Sequence, residues 1–203
     1  MAGNRGITRA DIERENRLLL DRQRLFCRAA DIVIAAWLPF PSVRAVALIG
    51  SVARPLRREV PRFQPFRRAG VELWHECGDL DLALWLDALD DLGALRRACD
   101  TALVQAHEVD PMFCVPGHQV DVFLFEPGGS HYCGRLCNFN RCPKGKRECL
   151  VPDCGRRLFL KQIEGFRPYD DILAPERTVL LFDRESGLLR CAADLPVTGG
   201  DEA

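Results

Sequence analysis

Apolar positions along the chain change period several times, and each change marks an element. From residue 8 to 38 they recur at helical spacing. Thr8 is a natural cap, Asp11 three residues on completes a capping-box pattern, and "IERENRLLLDRQRLFCRAADIVIAAW" follows. The first half of this stretch is amphipathic and rich in arginine; the second, from Leu25 to Trp37, has the composition of a buried helix. Pro39 and Pro41 stop it. The run "VRAVALIG", Val43 to Gly50, predicts a buried strand, and "SVARPLRR" predicts a short helical segment after it. Residues 59–78 lack a period and contain two prolines and an internal glycine. They predict an insertion, with a hairpin strand at Gly70 to His75. A strand follows at Asp79 to Leu86, then a helix from Asp87, its cap, to His107. Another strand is expected at His118 to Glu126, and a terminal hairpin in Glu176 to Cys191, turning at "DRESG". The final "TGGDEA" predicts a disordered tail.

The strand "DLDLALWL" poses a physical problem. Side chains alternate across a strand, so Leu80, Leu82, Leu84 and Leu86 share one face, while Asp79, Asp81, Ala83 and Trp85 share the other. Two carboxylates held side by side repel unless something neutralises them. A solvated sheet face would answer this, and so would a divalent cation. In the strand at 118–126, Asp121 shares a face with Phe123 and Phe125 and offers a third carboxylate. Oxygen ligands of this kind suit Mg2+. Gly50 allows a phosphate to approach the backbone, and Ser51 adds a hydroxyl at the start of the predicted helical segment.

The chain has 203 residues, 28% of them charged and 47% hydrophobic, which favours one globular domain over disorder. Its formal net charge of -1 confines any nucleic-acid role to local patches. No apolar run approaches the ~20 residues of a membrane span. The polar start "MAGNRGITRADIERENR" lacks the apolar centre of a secretory signal, so a cytoplasmic, reducing location is expected.

The order "LIGSVARPL", "GDLDLALWL", "QVDVFLF" resembles the nucleotidyltransferase superfamily of DNA polymerase beta, poly(A) polymerases and minimal bacterial nucleotidyltransferases. The resemblance covers about Val43 to Phe125, and the preceding helix also fits. It implies an α+β fold: a nucleotidyltransferase-like mixed β-sheet flanked by helices. It implies that Gly50 and Ser51 contact the nucleotide, with Arg54 assisting at the phosphates. Asp79, Asp81 and Asp121 would be the metal and catalytic residues for two Mg2+ ions, Asp121 activating the attacking hydroxyl. The expected reaction moves an NMP from an NTP to an acceptor, with release of pyrophosphate. The acceptor could be protein, RNA or a small molecule. A non-catalytic nucleotide- or RNA-binding protein, antitoxin-like and braced by zinc, is the alternative, and a redox or metal sensor is a third reading. One departure from minimal members is the long gap between Gly-Ser and Asp-x-Asp. It carries Arg54, Arg57, Arg58, Arg62, Arg67 and Arg68 with Phe63 and Phe66. These could clamp phosphates and stack on bases, or form a solvated loop with its phenylalanines tucked into the core.

Ten cysteines in a reducing compartment need an explanation other than disulfides. Half lie in "HYCGRLCNFNRCPKGKRECLVPDCG": Cys133, Cys137, Cys142, Cys149 and Cys154, with His131 beside them. Cys137, Cys142, Cys149 and Cys154 form two equal-spaced arms and are expected to hold tetrahedral Zn2+, with Cys133 or His131 as substitutes. An iron–sulfur cluster is the alternative. The surrounding lysines and arginines could contact nucleic acid or simply solubilise this Cys-rich, zinc-knuckle-like insertion. Cys27, Cys77, Cys99, Cys114 and Cys191 read as structural, and His75, His107 and His118 as ordinary. The expected organisation is a core at 1–129 containing the insertion 59–78, a Cys-rich segment at 130–157, and a C-terminal extension at 158–203.

Overall fold

The computed structural model describes residues 6–139, 156–162 and 171–198. Helix α1 spans Arg9–Trp37, and its capping box forms as the sequence predicts. The Asp11 N–H donates to Thr8 Oγ1 at 3.2 Å, and the Thr8 N–H donates to Asp11 Oδ2 at 3.0 Å. Nine buried positions, from Leu19 to Trp37, mark its inward face. Past its far end Arg184 donates to the carbonyls of Leu38, Phe40 and Val43, which fastens the turn that follows the helix.

Strand β1 (Val43–Ile49) leads through a turn to a two-stranded ladder of β2 (Arg58–Glu59) and β3 (Leu73–Trp74), with a four-residue helix α2 (Phe66–Ala69) between them. Then come β4 (Leu80–Leu86), α3 (Leu92–Val109), β5 (Val120–Phe125), β6 (Tyr132–Leu136), β7 (Leu160–Lys161), β8 (Thr178–Asp183) and β9 (Gly187–Leu188). Seven strands build one mixed sheet in the order β7-β6-β5-β4-β1-β8-β9. Among the described strands only β4 and β5 run parallel, and α3 supplies the crossover that a parallel pair requires. The protein is therefore α+β.

The alternation read from the sequence decides which face does what. Leu80, Leu82, Leu84 and Leu86 join Val120, Val122 and Leu124 in the main core beneath α1 and α3. Trp37 ties the two helices together, its indole N–H donating to the Leu95 carbonyl at 2.9 Å. The opposite face carries a smaller cluster of Ala47, Ile49, Ala83, Phe123 and Phe125, flanked by Trp85 and Tyr132. Asp81 and Asp121 belong to this second face.

Three expectations are corrected. Residues 51–54 form a turn, not a helix: Pro55 disfavours helical geometry at Arg54, and Leu56 is drawn to the C-terminal segment by a 2.7 Å bond to the Val197 carbonyl. Helix α3 begins at Leu92 with Asp91 at the cap position, while Asp87 lies outside the helix and pairs with Arg44. Asp79 sits at a bend before β4 rather than within the strand. The terminal hairpin forms as β8 and β9, and Thr198 bridges to Leu56. Residues 199–203 of the expected tail lie outside the described residues.

Candidate active site

Asp81 and Asp121 are Cα partners on the parallel strands β4 and β5, so the pairing register itself puts the two carboxylates side by side. Ile49, the last residue of β1, pairs with Asp81 from the other side. Gly50 follows with φ at +75°, a conformation that favours glycine. A Cβ there would lie 2.6 Å from Asp81 Oδ2. The Gly50 backbone thus rests directly against the Asp81 carboxylate.

Burial pushes the Asp81 carboxyl up to about 7, with the neighbouring Asp121 charge as the next cause and Asp79 adding to it; Arg135 opposes the rise. Arg135 on β6 donates to Asp121 Oδ2 at 2.7 Å and lies 4.3 Å from the Phe123 ring centre. Asp79 is exposed at the rim. Among the described residues no three His, Cys, Asp or Glu side chains form a ready-made metal cluster. The fold brings Asp81 and Asp121 together and leaves Asp79 at the edge.

The turn after Gly50 is held by residues that sequence reading passed over. His75 is buried and uses both ring nitrogens. Its Nδ1 accepts from the Arg57 N–H at 3.1 Å, which leaves Nε2 to carry the proton and donate to the Ser51 carbonyl at 3.1 Å. Gln23, 2% exposed, donates from Nε2 to the carbonyls of Val52 at 3.3 Å and Arg54 at 2.8 Å. Arg22 donates to the Gly78 carbonyl at 3.0 Å, just before Asp79. Helix α1 therefore grips both chain segments that frame the carboxylates. Arg54 is half-buried beside this turn, and its Nε has no hydrogen-bond partner among the described residues. None of these links has a local signature, since each joins a side chain to a distant backbone group.

The insertion resolves in favour of packing for one of its aromatics. Phe66 is buried with Leu19 and Leu73, and Phe63 is half-buried against them. Cys27, Cys77 and Cys99 are buried free thiols, as read, and burial pushes them up to about 12, 11 and 12. Cys114 departs from the structural reading: it is exposed.

Of the expected zinc ligands, Cys137 is half-buried at the end of β6, and Cys142, Cys149 and Cys154 lie outside the described residues. Its N–H donates to the Phe159 carbonyl at 2.6 Å, and Leu136 pairs with Leu160, so the Cys-rich segment leaves and re-enters through adjoining strands. Cys133 lies half-buried on β6, and His131 is exposed, 3.9 Å from Glu126.

Comparison with family models, curated proteins and solved structures found no match to this chain. No helix among the described residues is long and apolar enough to cross a membrane.

Proposed function

We propose that this chain is a cytoplasmic, divalent-metal-dependent nucleotidyltransferase of the DNA polymerase beta-like superfamily. The observation that carries the reading is the contact of Gly50 with Asp81 while Asp81 stands in register with Asp121. A phosphate-approach turn and a pair of carboxylates on separate strands converge on one face of the sheet.

The donor set fits Mg2+. All donors are oxygens, and the Asp81 carboxyl is raised by burial and by the Asp121 charge beside it, so a bound cation would favour its ionised form. Asp81 and Asp121, with Asp79 at the rim, would hold the metal. When bound, it would supply charge neutralisation for the attacking and leaving oxygens of an in-line displacement. The backbone at Gly50 and Ser51 receives the triphosphate, and Arg54, with its unpartnered buried Nε, supports it. Asp121 Oδ1 takes the proton of the acceptor hydroxyl as that oxygen attacks the α-phosphorus; NMP is transferred and pyrophosphate leaves. Arg135 fixes the orientation of Asp121 through Oδ2. Zinc bound by Cys137, Cys142, Cys149 and Cys154 is part of the same proposal, as a brace.

The test is incubation with each labelled NTP and Mg2+, with and without cell extract. The wild-type chain should label an acceptor, and the Asp79→Ala, Asp81→Ala double variant should not; equal labelling by both sinks the reading. The rim position of Asp79 favours a second reading, a binding module that retains the carboxylates. It predicts nucleotide binding without turnover.

A further inference from the structure

By burial alone Cys77 is a structural cysteine, 1% exposed in the main core. Its polar contacts are of another kind. The residue stands two positions before Asp79, where the chain comes back to the sheet, and its sulfur meets the turn after Gly50. The Ser51 hydroxyl donates to Cys77 Sγ. His75 Nε2, which donates to the Ser51 carbonyl at 3.1 Å, lies 3.8 Å from the same sulfur. Arg22 and Arg54 bring positive charge to it, and Glu76 brings the opposing charge. The Ser51 hydroxyl and the His75 N–H are both donors, so Cys77 serves them as an acceptor.

The returning segment therefore holds Ser51 twice, by its carbonyl through His75 and by its side chain through Cys77. The two grips differ in strength. The first joins an N–H to a carbonyl oxygen; the second ends on sulfur, a weak acceptor. A hydroxyl has one proton to donate. While Ser51 gives it to Cys77, that proton faces the core. An ionised phosphate oxygen offers lone pairs and no proton, so Ser51 can donate to it only by turning away from the sulfur. The exchange is favourable, because a hydrogen bond to an ionised acceptor is about twice as strong as a neutral one. An oxygen at the place of the sulfur would hold the hydroxyl more firmly and oppose the exchange.

We infer that Cys77 is a positioning residue for this turn: its sulfur holds the Ser51 hydroxyl inward and yields it when a phosphate oxygen arrives. That the phosphate belongs to an NTP rests on the nucleotidyltransferase reading; the contact of Cys77 with Ser51 does not.

The experiment is calorimetric titration of the full chain with each NTP and Mg2+, for wild type, Cys77→Ser and Cys77→Ala, and for the same substitutions in a Ser51→Ala background. Cys77→Ser should bind roughly three- to tenfold more weakly than wild type, the size of one net hydrogen bond. Cys77→Ala should bind at least as tightly as wild type, although the cavity it leaves should make it the least stable of these proteins in denaturant unfolding. In the Ser51→Ala background both Cys77 variants should bind alike. A role in packing alone predicts the reverse order, with Cys77→Ala the weaker binder, and that order overturns the inference. Wild-type affinity in Cys77→Ser, or an equal loss in the Ser51→Ala background, overturns it too, and neither result needs Cys77→Ala to fold. Infrared difference spectra taken against the matching Cys77→Ser protein isolate the Cys77 S–H stretching band. That band should shift in Ser51→Ala; an unmoved band overturns the inference whatever the NTPs do. A shifted band in a protein that binds no NTP keeps the contact, and removes the transferase reading together with the role at the phosphate.

Discussion

Gly50 and Asp81 compete for the same space: the position a Cβ would take on Gly50 is 2.6 Å from the Asp81 carboxylate oxygen. Glycine is required twice over, once for φ of +75° and once for the contact. Gly50→Ala should therefore lose about 1–2 kcal/mol from backbone strain and also displace the carboxylate. Thermal melts should record the first effect. Loss of Mg2+-dependent stabilisation, beyond what the melting shift accounts for, should record the second.

Asp81 makes stability depend on pH in a defined direction. Its carboxyl is raised from 3.8 to about 7 in the folded state, so the folded protein holds a proton that the unfolded chain has released. The stabilisation is full below the unfolded value and is lost as pH rises through the folded one. In chelator, the melting temperature should fall between pH 4 and about 7 more steeply for wild type than for Asp81→Asn. At neutral pH, Mg2+ should raise the wild type and leave the variant unmoved. Parallel pH profiles for the two proteins would refute this.

His75 links backbone groups on both sides of the turn. His75→Ala leaves the Arg57 N–H and the Ser51 carbonyl without their partner, each worth about 1–3 kcal/mol when a buried group goes unsatisfied. Denaturant unfolding should show a loss of roughly that size. On the transferase reading, KM for the NTP should rise more than kcat falls, since the turn is displaced and the carboxylates are not. His75→Gln should restore part of the loss.

The Cys-rich segment gives a separate prediction. Elemental analysis should find one zinc per chain, and Cys137→Ser, Cys142→Ser, Cys149→Ser and Cys154→Ser should each lose it. Cys133→Ser should keep it. Iron in place of zinc would select the cluster alternative.

The parts of the fold that were legible in the sequence are those where one physical demand governs a whole stretch. Helix α1 needs a long apolar stripe and a cap, and both are written locally from Thr8 to Trp37. The strands β1, β4 and β5 need alternation or continuous burial, and their faces follow. The start of α3 was not legible because Asp87, the expected cap, is drawn to Arg44, 43 positions away in sequence, and the helix starts five residues later. The absence of a helix after Ser51 depends on Leu56 reaching Val197. Gln23 and His75 gave no signal because their partners are backbone groups brought near only by the finished fold. Of the site, the residue types were readable; the register of Asp81 with Asp121 and the edge position of Asp79 were not.

Strands β1 and β4 are antiparallel neighbours, so the segment 50–79 that joins them is, topologically, the loop of a single hairpin. Doubling the length of such a loop adds only about 0.6 kcal/mol of closure entropy. The carboxylates sit on the strands, and the arginines sit on the loop. The register that sets Asp81 beside Asp121 is thus independent of the length and charge of that loop. A loop of another length or charge could be grafted between Ser51 and Asp79 without disturbing the strand pairing, provided it kept a residue at the place of His75 to fasten the turn.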